Sequence, residues 1–259
     1  MKAARFEGKI CLITGGTSGI GYEMAKRMAE EGGRVIVCSV DKNIQEAVQA
    51  LSQDGKYKVE GLHCDVTDKL QRLQIVGYIN ETYGRLDVLC LNAGVPGFKG
   101  SQFYMDEEHY DQTFAVNVKS VLFFAKDALD LLKKATDGGN ILVTSSLSGV
   151  MPSKVLGVYA MGKAALMNMV KWLAIELMDF NIRVNAIAPG FTRTEMTADE
   201  FKIGIDKILH PRFTTTPDMI ASVACMICSK QDGSFVNGET LVLHGGESYP
   251  KFKINKQKL

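Results

Sequence analysis

Short apolar or β-branched runs alternate with longer segments of helical periodicity from one end of the chain to the other, the order that builds βαβ units around a parallel sheet. Seven strands are predicted, at Lys9 to Thr14, Arg34 to Ser39, Lys58 to Cys64, Leu86 to Leu91, Asn140 to Ser145, Arg183 to Ala188 and Thr240 to His244. Most are apolar at successive positions, as in Val35-Ile-Val-Cys38 and Ile141-Leu-Val143. That is the pattern of strands covered on both faces. Helices are predicted at Gly19 to Glu31, Ile44 to Gln53, Lys69 to Tyr83, Glu107 to Lys134, Gly157 to Phe180, Ala198 to Leu209 and Met219 to Ser229. The fold expected is one doubly wound α/β domain over residues 1–247, followed by a basic tail at 248–259.

The segment Gly157 to Phe180 is apolar nearly all round, with only Lys163, Lys171 and Glu176 charged between Val158 and Met178. One face can pack on the sheet, but Met167, Met169 and Trp172 need other cover. Either a partner subunit, in a homodimer or homotetramer, or the lid of the same chain supplies it.

Composition narrows the class. The chain has 259 residues, 46% hydrophobic and 23% charged, with a net charge of +1. Such a balance gives no global field to hold nucleic acid or an acidic membrane surface, so a small-molecule substrate is expected. No run approaches the ~20 apolar residues of a membrane span, and Glu7 and Lys9 fall where the apolar core of a signal peptide would sit. Of the six cysteines, Cys11, Cys38, Cys64 and Cys90 lie within or at the end of predicted strands, and Cys225 and Cys228 lie in a helical run. Core packing in a reduced, cytoplasmic compartment is therefore expected, with no metal site. The chain ends in Gln257-Lys-Leu259, one residue away from the peroxisomal address Ser-Lys-Leu, which makes that organelle the alternative location.

Chemistry concentrates after the strands. The first strand runs into Thr14-Gly-Gly-Thr-Ser-Gly-Ile-Gly21 and then a helix. Gly15, Gly19 and Gly21 suit a tight turn, close approach of backbone to a pyrophosphate, and close helix–strand contact. The phosphate would then rest on the N-terminus of the following helix. Downstream, Tyr159-Ala-Met-Gly-Lys163 places a phenol and an ammonium at i and i+4 on one helix face. This is a plain surface pair unless other groups join it. Ser146 follows the fifth strand and Asn92-Ala-Gly94 the fourth, at the strand ends where open parallel sheets bind ligands.

On these residues the chain resembles the short-chain dehydrogenase/reductases, from about Glu7 to Gly246. The glycine motif matches Thr14-Gly-x-x-x-Gly-x-Gly21, the adenine-side acid Asp65 with Val66 beside it, and the structural motif Asn92-Ala93-Gly94. The catalytic tetrad matches Asn117, Ser146, Tyr159 and Lys163, and the nicotinamide-side motif Pro189-Gly190-Phe-Thr192-Arg-Thr194. The resemblance implies a Rossmann-type domain with a seven-stranded parallel sheet and reversible carbonyl reduction and alcohol oxidation. It implies that Tyr159 exchanges a proton with the substrate oxygen, Ser146 bonds that oxygen, Lys163 holds the nicotinamide ribose and lowers the phenol pKa, and Asn117 keeps a water chain in line with Lys163. Together with Gly15, Thr17, Ser18, Gly19, Ile20 and Gly21, these motifs make up the expected cofactor site.

Some positions depart from the family pattern: Gly162 stands where a serine is frequent, and Leu91 where a second asparagine is. At the end of the second strand the ribose-binding acid is replaced by Ser39, and the arginine that follows it in many NADP-preferring members by Val40. NADP(H) is expected, with the Ser39 hydroxyl and Lys42 meeting the 2′-phosphate. NAD(H) is the alternative if the Asp41 carboxylate turns in toward the ribose. The lid, about Phe191 to Thr216, mixes Phe191, Met196, Phe201 and Phe213 with Arg193, Lys202, Lys207 and Arg212. A small to medium apolar ketone is expected; a 3-oxoacyl thioester is the alternative substrate, and a non-catalytic dinucleotide sensor the alternative of another class.

Overall fold

The computed structural model describes residues 4–98, 100–153, 155–204, 207 and 213–246. Seven parallel strands form the central sheet: β1 (Ile10–Thr14), β2 (Arg34–Ser39), β3 (Val59–His63), β4 (Val88–Leu91), β5 (Gly139–Thr144), β6 (Ile182–Pro189) and, after two short strands of a separate pair, β9 (Thr240–Leu243). Their spatial order is β3-β2-β1-β4-β5-β6-β9. The order reverses between β1 and β4, and the crevice beyond the C-terminal ends of those two strands is where an open sheet binds its ligand.

Successive side chains of a strand point to opposite faces, so each strand feeds two cores. Leu12, Leu89 and Val143 pack with Phe124, Leu166 and Val170 on one face. Cys11, Ile13 and Val37 pack with Met24, Met28, Ile220 and Ala224 on the other. The first layer of helices comprises α3 (Lys69–Tyr83), α5 (Ser120–Asp127) and α7 (Gly157–Glu176). The second comprises α1 (Gly19–Glu30) and α9 (Pro217–Cys228). Side-chain caps fix several starts: Asp68 accepts from the Leu70 and Gln71 N–H groups at 2.7 and 3.2 Å ahead of α3. Arg72 of α3, 4% exposed, reaches across to Asp127 at 2.8 Å and to the Val66 carbonyl at 2.9 Å, joining α3 to α5.

The seven expected strands are all present, with ends shifted by a residue or two. The helix expected over Glu107 to Lys134 is instead broken into α4 (Glu107–Phe114), a five-residue π turn at Ala115–Lys119, α5, and α6 (Leu129–Leu132). Its defining bond runs from the Ser120 N–H to the Ala115 carbonyl, the i→i+5 spacing that admits one extra residue. α7 ends at Glu176 and a 3-10 turn, Met178–Phe180, follows. α9 begins at Pro217, where the absent N–H costs nothing, rather than at Met219.

In the lid, α8 (Ala198–Lys202) is shorter than the helix expected to Leu209, which with Arg212 lies outside the described residues. A parallel pair, β7 (Phe191–Thr192) and β8 (Thr214–Thr215), ties the two ends of the lid together. The tail at 248–259, with Gln257 to Leu259, also lies outside the described residues. All six cysteines are buried and unpaired. Among the described residues no helix is long and apolar enough to cross a membrane.

Candidate active site

Thr14 pins the glycine loop to the next strand of the crevice. Its hydroxyl accepts from the Asn92 and Ala93 N–H groups at 3.0 Å each. The Asn92 side chain donates to the Thr14 and Gly15 carbonyls at 3.2 Å each and accepts from the Thr144 hydroxyl at 3.1 Å. One network thus joins the C-terminal ends of β1, β4 and β5. Gly15 has φ +63°, a left-handed conformation that favours glycine. A methyl group there would stand 3.0 Å from the Ala93 Cα, and one on Gly21 would overlap the Gly15 carbonyl oxygen. α1 then starts at Gly19, where Ser18 makes no side-chain cap and the first turn, with Ile20, holds no acid. Its N–H groups remain available to an anion, so this cradle fits the diphosphate of a dinucleotide. Thr194 lies against the same loop, with its Cγ2 3.3 Å from where a Gly19 Cβ would be.

At the end of β2, Ser39, Asp41 and Thr17 form one hydrogen-bonded group. The Ser39 hydroxyl donates to Asp41 Oδ2 at 2.8 Å, and the Asp41 N–H returns a bond to Ser39 Oγ at 3.2 Å. The Thr17 hydroxyl of the glycine loop donates to the same carboxylate oxygen. Both hydroxyls are thus bonded to the Asp41 carboxylate, and Asp41 and Lys42 are both exposed. Beyond β3, Asp65 Oδ1 accepts from the Thr67 N–H and hydroxyl at 2.8 and 2.7 Å, and Val66 is buried beside it.

Ser146, Tyr159 and Lys163 converge where β5 meets α7. Ser146 follows β5, and its hydroxyl accepts from the Ser148 N–H at 3.1 Å, opening the 3-10 turn Leu147–Gly149. The Ser145 hydroxyl donates to the Lys163 carbonyl at 2.8 Å, docking α7 on the strand. Gly149 permits that approach: a Cβ there would stand 2.8 Å from the Ala164 nitrogen. Lys163 is 4% exposed, and its Nζ donates to the Thr144 carbonyl at 2.7 Å and lies 5.5 Å from the Tyr159 ring centre. Burial lowers the Lys163 ammonium to about 8. Burial pushes the Tyr159 phenol up, and the Ser146 hydrogen bond pulls the other way. In the cofactor-free chain burial is the larger of these two influences, so the phenol lies above its ordinary value.

Asn117 sits inside the π turn and is 1% exposed. Both ends of its side chain are taken by Val95, accepting from the N–H and donating to the carbonyl at 2.8 Å each. The same Oδ1 and Lys163 Nζ flank Gly94, at 3.2 and 3.7 Å from where its Cβ would be. On the far side of the crevice, Gly190 N–H donates to the Leu243 carbonyl at 2.7 Å directly after Pro189. The Thr192 hydroxyl donates to the Gly190 carbonyl at 3.0 Å, and Thr197 Oγ1 braces Thr192 and Thr194.

The motifs alone give no role to Thr14 and do not point to Thr144, Val95 or Thr197. For the two threonines the available signal was a hydroxyl closing an otherwise apolar strand. The lid beside this crevice carries an open depression of about 370 Å³ lined by Arg193, Thr194, Ala198, Phe201 and Lys202. Phe191 and Phe201 stand 5.3 Å apart, with the Arg193 guanidinium 4.0 Å over the Phe201 ring. A second cavity, of about 210 Å³, includes Lys9, Asp87 and Asn140 at the N-terminal ends of the strands, remote from these groups.

The profile of the short chain dehydrogenase family matches residues 9–203. The human "Dehydrogenase/reductase SDR family member 4" is 34% identical over 244 residues, 92% of this chain and 87% of that protein. "Tropinone reductase-like 3" of Erythroxylum coca is 32% identical over 253 residues, 95% of each chain. A short-chain type dehydrogenase/reductase from Mycobacterium marinum superimposes with a TM-score of 0.87 at 27% identity, over 95% of this chain and 97% of that one. The chain belongs to the short-chain dehydrogenase/reductase family and is an oxidoreductase acting on CH–OH and C=O groups.

Proposed function

We propose that the protein reversibly reduces a small to medium, largely apolar ketone, with Tyr159 exchanging the proton at the substrate oxygen. The observation that carries this reading is the convergence of Ser146, Tyr159 and the buried Lys163 beside the glycine loop. The nicotinamide of a bound dinucleotide supplies or accepts the hydride. Gly15, Gly19, Gly21 and the first turn of α1 hold its diphosphate, Asp65 and Val66 flank its adenine, and Thr192 and Thr194 lie at its nicotinamide end.

Ser146 orients the substrate oxygen toward the phenol, so the proton moves along a fixed line. Lys163 turns from the Thr144 carbonyl toward the nicotinamide ribose when the site is filled, and its charge with that of the oxidised ring then lowers the phenol. Asn117 acts by fixing Val95 and hence the loop that follows Asn92-Ala93-Gly94.

The Asp41 carboxylate, bonded to Ser39 and Thr17, favours the alternative cofactor. A 2′-phosphate at Ser39 would face Asp41, whereas ribose hydroxyls would be accepted by it, so NAD(H) is the preferred form under this reading. The lid favours an apolar substrate over an acyl thioester, since Arg193 covers Phe201 and Lys202 lies 3.3 Å from Asp199.

The exposed stripe of α7, Met161, Trp172 and Ile175, is covered by a second copy of the chain. Sedimentation of wild type and Trp172→Glu checks this, with wild type a dimer or tetramer and the variant a monomer. The unpaired cysteines suit the cytoplasm.

NADH and NADPH consumption with ketones, diketones and 3-oxoacyl thioesters tests the function. Turnover confined to thioesters selects that alternative, and dinucleotide binding without turnover selects the sensor.

A further inference from the structure

Gln102 lies outside every motif of the site, yet its side chain bridges the loop after β4 and the segment that leads into α7. Its Nε2 donates to the carbonyls of Phe98, Gly100 and Val155 at 3.1 Å each. Its Oε1 accepts from the Val158 N–H at 3.2 Å. Phe98 and Gly100 belong to the loop after β4, and Val155 and Val158 to the segment that leads into α7. A helix start leaves its first N–H groups without intrahelical partners. The α7 N-cap is Leu156, which makes no side-chain cap. Gln102 therefore caps the catalytic helix from a different part of the chain, one residue before Tyr159. Gly157 opens the path, since a Cβ there would stand 3.3 Å from Gln102 Cγ.

We propose that Gln102 is a positioning residue for Tyr159, holding the first turn of α7 and the backbone of Phe98 and Gly100 in one arrangement while the proton moves. The proposal rests on the reading of Tyr159 as the proton-exchanging group. A primary amide suits the task because one end donates and the other accepts. Small displacements of a reacting group carry large rate penalties. The dinucleotide cradle lies on Thr14, Gly15 and α1 and owes nothing to Gln102, so the effect belongs in kcat rather than in cofactor affinity.

Two variants separate positioning from mere packing. Gln102→Met keeps the length and removes both polar ends. It is expected to lower kcat by about 10- to 100-fold, with the NADH Kd within twofold. Gln102→Glu keeps the acceptor for Val158 but cannot donate to the three carbonyls, and it brings a negative charge to the turn that carries Tyr159. It is expected to move the apparent pKa of alcohol oxidation upward, a shift the Met variant does not show, because a nearby negative charge disfavours phenolate.

Wild-type kcat in the Met variant with an unmoved pH profile in the Glu variant overturns the proposal, as does a loss of activity explained by equal loss of NADH binding. Should the Met variant fail to fold, the pH profile of the Glu variant decides alone. Tyr159→Phe is measured beside them: if it stays active, the reading of Tyr159 fails, and if it alone is inactive, only the role of Gln102 fails.

Discussion

The Lys163 ammonium and the Thr144 carbonyl are joined by a 2.7 Å hydrogen bond, and the Thr144 hydroxyl carries the connection on to Asn92 at 3.1 Å. The lysine that the site needs is thus stored on the strand that leads into Ser145 and Ser146.

Storing it there has a thermodynamic signature. Burial brings Lys163 down to about 8 in the folded chain, against 10.5 for a free lysine. Between those values the unfolded chain binds a proton that the folded chain has released, so stability rises with pH across this window, by about 3 kcal/mol in full. Below pH 8 both states are protonated and the contribution is flat. The raised Tyr159 phenol acts in the opposite direction, and only above pH 10. Urea titrations of the cofactor-free protein at pH 7.5 and 9.5 should show wild type gaining stability relative to Lys163→Met at the higher pH; parallel curves would refute the assignment.

Tyr159→Phe removes the proton donor and leaves the glycine loop untouched. A fall in kcat of roughly a thousandfold is expected, within the worth of positioned acid–base catalysis, with the NADH Kd within twofold. Stopped-flow turnover and fluorescence titration check the two halves. Activity within tenfold of wild type on a substrate whose chemistry is rate-limiting would falsify the role.

Asp41→Ala frees the hydroxyls of Thr17 and Ser39 and removes the carboxylate they face. Wild type is expected to bind NADH at least tenfold more tightly than NADPH, and the variant to lose or invert that ratio. Fluorescence titration with both dinucleotides measures it, and a wild-type preference for NADPH would show that the carboxylate moves aside.

Arg72→Met is expected to destabilise the fold by about 3–5 kcal/mol, because it leaves the mostly buried Asp127 carboxylate without its partner. Arg72→Met with Asp127→Leu should recover much of that loss. Chemical denaturation of wild type and the two variants is the measurement, and an Arg72→Met variant as stable as wild type would remove the pair from the account of how α3 is held to α5.

What could be read from the chain follows from how local each cause is. Runs such as Val35-Ile-Val-Cys38 and Ile141-Leu-Val143 announce strands because burial on both faces needs no distant partner to be recognised. The π turn was hidden because no glycine or proline between Ala115 and Ser120 marks the break. Asp41 was ambiguous because its orientation is set by Thr17, 24 residues away. Gln102 had no spacing signature at all: its partners are backbone atoms, the farthest 56 residues along the chain. Tyr159 and Lys163 were legible as a pair, but the attachment of Lys163 to Thr144 belongs to the folded sheet and not to the i, i+4 spacing.

The wide turn at Ala115–Lys119 also governs which length changes this segment can absorb. One additional residue rephases a helix by about 100°, roughly a quarter of its circumference. Upstream winding aims Asn117 at Val95, whereas downstream winding aims Val121, Phe124 and Ala125 into the core. Deleting a single residue here would restore uniform winding and force a choice between the two: either the asparagine swings off the loop or the apolar side chains rotate away from the sheet. The segment is therefore a gearing between two faces of the molecule, intolerant of insertion or deletion although ordinary substitutions on its exposed side cost little.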